Sequence, residues 1–314
     1  MNIKPIISLL TVFISISAWG QSDFDLSQRW FNESVYNPAA TGNSFTTGIF
    51  IHSRAQWLNT EGTPITNAFS FDTYAEHLRS AFGIAVTTDK IGYLNSWSAK
   101  VSYAYYIPLG TSTLSLGLSG YILNRNKHIQ PDMAENPSDP SITYTKVNEY
   151  NPDFDLGIEY KGPFKIGVSV RHLLNTQKVN SAFTAYTTNI WSYASSRFNL
   201  SENISAEPVV SYMYRNNINR YEAGAIVYFL KSQARISFND RFWLGAMYRF
   251  NSQFAILAGA NITSKIGVGY SFDYGTGDLS NISKSGTHEI FLSWQFNKIF
   301  YKEPNCPAYR NYRK

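Results

Sequence analysis

Cysteine, charge and long apolar runs are all scarce in this chain, and each scarcity excludes something. The single cysteine, Cys306, rules out an internal disulfide, so a large core or a closed hydrogen-bond network must hold the 314 residues together. Charged residues make up only 16% of the chain, against roughly a quarter in ordinary soluble domains. Beyond the first twenty positions, no apolar run reaches the roughly 18 residues that a membrane helix requires. The five histidines (His52, His77, His128, His172 and His288) show no metal-type spacing. No nucleophile elbow, P-loop or dinucleotide glycine motif is present. Gly275-Thr276-Gly277 lies in a loop with no helix after it. His52 and Ser53 do not form a catalytic rim pair, because adjacent strand residues point to opposite walls. The net charge of +5 is scattered, with no basic run interleaved with stacking aromatics, so nucleic acid is not an expected partner. No catalytic, cofactor-binding or metal site is expected.

Aromatic residues, by contrast, are abundant. They reach 16% of the chain, with 22 Tyr, and tyrosine suits boundaries between apolar and wet surroundings. The first twenty residues read as a secretory signal. Lys4 supplies the positive start, Ile6 to Ile16 the apolar stretch, and Ala18-Trp19-Gly20 a small-x-small cleavage site. Residues 21–45 are polar and irregular and are expected as a periplasmic N-terminal segment, with a turn cluster at Asn37-Pro38-Ala39-Ala40-Thr41-Gly42.

From 46 to 296 the pattern is period two. Alternation marks strands over 46–57, 65–75, 81–88, 96–107, 112–124, 153–160, 164–171, 187–198, 204–214, 221–230, 242–250, 254–263, 266–274 and 287–296. In the last of these, Ile290, Leu292, Trp294 and Phe296 share one face, while Thr287, Glu289, Ser293 and Gln295 share the other with Phe291. Strands of this length, with a Gly/Ser/Thr second face and aromatic ends, predict an all-β transmembrane barrel of about 14 antiparallel strands in the outer membrane. Lipid covers the apolar face, and closure leaves no unpaired edge. With both termini periplasmic, the long connections 125–151 and 175–186 face outward. The connection 231–241 is long for a periplasmic turn. Residues 297–314 form a basic C-terminal tail.

Four charges have lumen parity: Arg54 beside Glu289 at the seam between first and last strands, with Asp273 on the neighbouring strand and Arg249 two strands further round. They read either as a charged constriction or docking site, or as an ion-pair network pinning the seam, since enclosed charges need partners in both cases. Phe183, Tyr186 and Trp191, in or beside the 175–186 loop, are candidate aromatic anchors for a partner.

Several motifs together resemble a known family: Ser27-Gln28 with Asn37-Pro38-Ala39 and Gly42, Arg54-Ala55-Gln56-Trp57 with Pro64-Ile65-Thr66, Tyr270-Ser271-Phe272-Asp273-Tyr274, and Gly286-Thr287-His288-Glu289-Ile290. In order and spacing they are similar to the PorP/SprF outer-membrane proteins of the type IX secretion and gliding machinery of Bacteroidota. Thr287 stands where Ser is common in that family and Phe272 where Tyr is common. The resemblance implies a non-enzymatic role in which the protein helps one adhesin or secreted protein reach or stay on the cell surface. The partners it implies are the C-terminal domain of a type IX cargo protein and periplasmic machinery proteins, with outer-membrane lipid around the barrel. The alternative is a passive channel or small-molecule transporter, which predicts an open polar lumen.

Overall fold

In the computed structural model, residues 24–44, 46–127, 129, 136, 138, 144, 146–174, 187–215, 218–230, 240–276 and 285–296 are described. The expected signal (1–20) and basic tail (297–314), together with Phe183 and Tyr186, lie outside them. The strands are β1 (Thr47–Ala55), β2 (Ile65–Ala75), β3 (Ser80–Ile91), β4 (Leu94–Leu109), β5 (Ser112–Lys127), β6 (Val147–Lys161), β7 (Lys165–Arg171), β8 (Asn189–Ser195), β9 (Phe198–Ser201), β10 (Ile204–Arg215), β11 (Ile218–Leu230), β12 (Asp240–Arg249), β13 (Gln253–Asn261), β14 (Ile266–Gly275) and β15 (Thr287–Phe296).

Each strand pairs antiparallel with its neighbours, and β15 returns to β1 with Thr47 opposite Phe296 and Ala55 opposite His288. The ring closes at β8 to β11. There β8 and β9 pair with opposite halves of β10, Ser195 facing Val209 and Phe198 facing Ala206, so the two make one wall position interrupted at Ser196–Arg197. The result is a closed barrel of 14 staves. Closure gives every stave a neighbour on both sides, which a wall in hydrocarbon requires, although β7 pairs only with Leu156–Lys161 of the longer β6.

The side-chain pattern is inverted relative to a water-soluble barrel. On β4, Val101 is 64% exposed while Lys100 beside it is 7% exposed. Apolar residues such as Ile84, Leu116, Leu156 and Ile256 face outward, while Ser119, Asp155, Glu159 and Glu289 face inward. Exposed aromatics form two belts on the outer face. One holds Trp97, Tyr150, Tyr221, Tyr248 and Tyr274; the other, at the opposite end, holds Phe82, Tyr105, Phe164, Phe242 and Trp294. Paired girdles around an apolar band are the signature of a barrel spanning a bilayer.

The two ends of the barrel differ. At the end where β1 finishes, connections 128–146, 172–188 and 276–286 are long, alongside the short 92–93, 216–217 and 250–252; at the other, β4–β5 and β6–β7 are joined by 110–111 and 162–164, and β11–β12 by the nine residues 231–239, the one long connection expected there. We call these the loop end and the turn end. The expected long loop at 125–151 is shorter than its sequence suggested, because β5 continues to Lys127 and β6 starts at Val147.

The lumen is not empty. Residues 24–43, expected below the barrel as a periplasmic segment, lie inside it, and Leu26, Ser27, Gln28, Tyr36, Asn37 and Ala39 are fully buried. This plug is built from three 3-10 turns, Arg29–Phe31, Glu33–Val35 and Pro38–Ala40. In the third, Asn37 caps the turn by accepting from the Ala39 N–H at 3.0 Å, and Pro38 occupies the first position, where it has no N–H to leave unpaired. The plug runs from Phe24, near the last residue of β7, to Asn43, whose side chain donates to Glu159 beside the turn at 162–164. The described chain therefore starts toward the loop end and leaves β15 at the turn end.

Candidate functional site

The wall is shaped for this plug. Gly117 on β5 lies opposite Gly157 on β6. A Cβ at Gly117 would overlap the Pro38–Ala39 backbone, and one at Gly157 would overlap the Asn37 side chain. The missing side chains let the third turn rest directly on the sheet. On the other side, Trp30, Phe31 and Tyr36 pack into an aromatic core with Trp191, Tyr193, Trp243 and Phe291. The rings meet at 5.1 Å (Phe31–Trp243), 5.2 Å (Phe31–Phe291) and 5.4 Å (Tyr36–Trp191). Each such large side chain removed from water stabilises the seating by about 1.5–3 kcal/mol.

Toward the loop end, the first turn of the plug docks into an ion cluster. The four expected lumen charges come together here. Arg54 pairs with Asp273 at 2.8 Å and Glu289 at 3.1 Å, and Arg249 lies 3.8 Å from Asp273. The plug completes the network. The Ser27 and Gln28 N–H groups donate to the two oxygens of Glu289 at 2.7 and 3.0 Å. The Ser27 hydroxyl donates to Asp273 and accepts from Arg54 and Arg249 at 2.9 Å each. Arg29 bridges Asp25 at 2.6 Å and Glu222 at 2.7 Å, while Arg220 also pairs with Asp25. Four guanidinium groups (Arg29, Arg54, Arg220, Arg249) thus meet four carboxylates (Asp25, Glu222, Asp273, Glu289). Burial works against ionisation of Asp25, but Arg220, Arg249 and Arg29 hold its carboxyl well below the usual range.

Toward the turn end the balance differs. Glu33 pairs with Lys165 on β7 at 2.5 Å, and Lys165 also lies 4.0 Å from Glu207. Glu159 accepts from Asn43 at 2.7 Å and from the Tyr193 hydroxyl. Burial pushes the Glu33 carboxyl up to about 7; Lys165 opposes the rise and Glu159 adds to it. Midway, the Val35 carbonyl accepts from Lys100 at 3.2 Å, and Lys100 pairs with Asp155 at 2.6 Å.

Trp191 is the correction at this site. Expected as a partner anchor beside a surface loop, it is 1% exposed, because its place in β8 gives it lumen parity, and it stacks on Tyr193 at 4.2 Å. Sequence reasoning missed Asp25, Ser27, Arg29 and Glu222. The available signals were the Asp25/Arg29 spacing of four and the lumen parity of Glu222 opposite Arg249.

This is an outer-membrane β-barrel whose interior is filled by its own N-terminal segment, with buried ion pairs fixing that segment to the closing seam. The model of the type IX secretion system membrane protein PorP/SprF matches residues 18–294, and the chain belongs to that family. No curated protein matches the chain. Among solved structures, it is similar to the Ralstonia pickettii toluene transporter TbuX (11% identity, TM-score 0.51, covering 84% of this chain and 92% of that one). It is also similar to the deltaS2S3 mutant of the monoaromatic hydrocarbon channel TodX (10% identity, TM-score 0.51, covering 85% and 94%). At these identities the likeness is one of fold.

Proposed function

We propose that this type IX secretion membrane protein is a non-enzymatic accessory that helps a secreted partner, such as an adhesin, reach or stay on the cell surface. In this reading the loop end faces outward and receives the C-terminal domain of the partner, while the turn end faces the periplasmic machinery. The supporting observation is the filled lumen. A passive channel needs a continuous aqueous path, whereas here residues 24–43 occupy the interior, seated on Gly117 and Gly157 of the wall, where an added Cβ would overlap the plug. The orientation follows the rule that outer-membrane barrels carry short periplasmic turns and longer external loops.

Two measurements test the reading. Deleting the gene and surface-labelling exported proteins should show a large adhesin lost from the cells and shed into the medium; unchanged display would sink the proposal. In planar bilayers the intact protein should give no steady conductance, and a variant lacking residues 24–43 should open. Conductance of the intact protein equal to that of the deletion variant would favour the channel instead.

A further inference from the structure

The outer face of the wall is not uniform at the loop end. Around β10 to β14 its last lipid-facing level is aromatic: Tyr212 opposite Tyr221, then Tyr248 opposite Phe254 and Phe254 opposite Tyr274. Across β2 to β6 the outward rows nearest the loop end carry amides and lysine instead. One cross-strand row reads Ile65, Lys90, Asn95, Asn126, Asn148; the next reads Asn67, Thr88, Trp97, Asn124, Tyr150. Immediately below, the row Phe69, Val86, Ala99, Ile122, Pro152 is apolar. The polarity of this face therefore switches within a single row, at the height of the Trp97 and Tyr150 rings. Strands β4 and β5, at 16 residues each, are longer than the roughly 9–11 that a bilayer needs.

A depression opens on this patch, lined by Asn67, Lys90, Asn95, Trp97, Asn126 and Lys146, and also by Asp89, whose carboxylate accepts from the Thr66 hydroxyl. Lys90, Asn95 and Lys146 are exposed. Among the described residues, Lys90, Asn95, Asn126 and Lys146 make no side-chain hydrogen bond or ion pair, in contrast to the charges of the lumen.

We infer that this depression binds the phosphorylated sugar headgroup of a glycolipid in the outer leaflet. Two ammonium groups match phosphate, the free amides of Asn95 and Asn126 match sugar hydroxyls, and the Trp97 ring lies where a headgroup meets its acyl chains. The apolar rows below would hold those chains against the wall. The choice of leaflet rests on the reading that the loop end faces outward.

The test uses the full folded barrel purified in detergent, with bisphosphorylated lipid A and its dephosphorylated form as probes and retention followed by native mass spectrometry. The bisphosphorylated form should be retained in preference. Replacing both lysines (Lys90→Ala with Lys146→Ala) should lower its retention about tenfold, the equivalent of one lost charge-assisted contact or slightly less, without changing the heat-shifted mobility of the folded barrel. Equal retention of both lipids, unchanged retention by the double variant, or a second copy of the chain occupying the patch in place of lipid would each overturn the inference. A Glu61→Cys, Cys306→Ser variant, on the exposed β1–β2 connection at the same end and outside the depression, should react with an impermeant maleimide in intact cells. Absence of that label would overturn the orientation along with the leaflet, whereas labelling without lipid preference would remove the glycolipid site alone.

Discussion

The plug is held at its two ends by opposite kinds of electrostatics. At the loop end, four carboxylates and four guanidinium groups neutralise one another around Ser27. At the turn end, Glu33, Glu159 and Glu207 share Lys165, with hydroxyl and amide donors in support. The difference shows that enclosed charge can be stabilised either by exact pairing or by keeping a proton. At the first end three guanidinium groups keep the Asp25 carboxyl charged despite its burial, whereas at the second burial raises Glu33.

The comparison can be broken most severely at the paired end. Arg249→Met deprives Asp25, Glu222 and Asp273 of a shared cation, and removing one member of a buried ion network costs about 3–5 kcal/mol. Urea unfolding in vesicles should show the loss, and limited proteolysis should cut near residue 29 first. A smaller effect is expected from Tyr36→Phe, which leaves the buried Leu26 N–H without its acceptor at 2.7 Å and should cost about 1–3 kcal/mol. Retention of full stability by that variant would mean water replaces the hydroxyl.

pH sharpens the contrast because the two ends respond with opposite sign. The folded-state value of Glu33 lies near 7, above its ordinary 4.5, so its contribution is complete below about 4.5 and is lost as pH rises through 7. Asp25 is depressed, so its contribution is present above the ordinary carboxylate range and fades as pH falls through that range and below. Glu33→Gln should flatten the loss between pH 5 and 8 while leaving the acid limb in place, which a pH series of urea midpoints would read. The smallest change is expected at the exposed Lys265 in the turn-end hairpin between β13 and β14, where Lys265→Ala should alter stability by no more than about 0.5 kcal/mol.

The wall was legible in the sequence because a period of two is independent of anything distant. The expected strand at 187–198 even survives the break between β8 and β9, since both halves keep their pairing to β10. Arg54, Arg249, Asp273 and Glu289 could be grouped from parity and closure alone, because Arg54 lies directly opposite Glu289. The plug could not be read this way. Three-residue 3-10 turns leave no periodic trace, and the partners of Ser27 and Arg29 lie far along the chain. For the same reason the close approach at Gly117 and Gly157 looked like ordinary small-residue alternation. Trp191 was misplaced because a neighbouring loop suggested exposure, while the parity of β8 dictated the opposite.

The link between Ser27 and Glu289 spans 262 positions, nearly the full length of the polypeptide. The leading end of the described chain thus gains its Glu289 partner only when the final stave, β15, lies beside β1. Seam and stopper share Glu289, so a chain without β15 lacks both the closed seam and this anchorage of the stopper. A fragment ending before residue 287 would be left with a loose leading end and an unzipped cylinder, a state that quality-control proteases can recognise and remove.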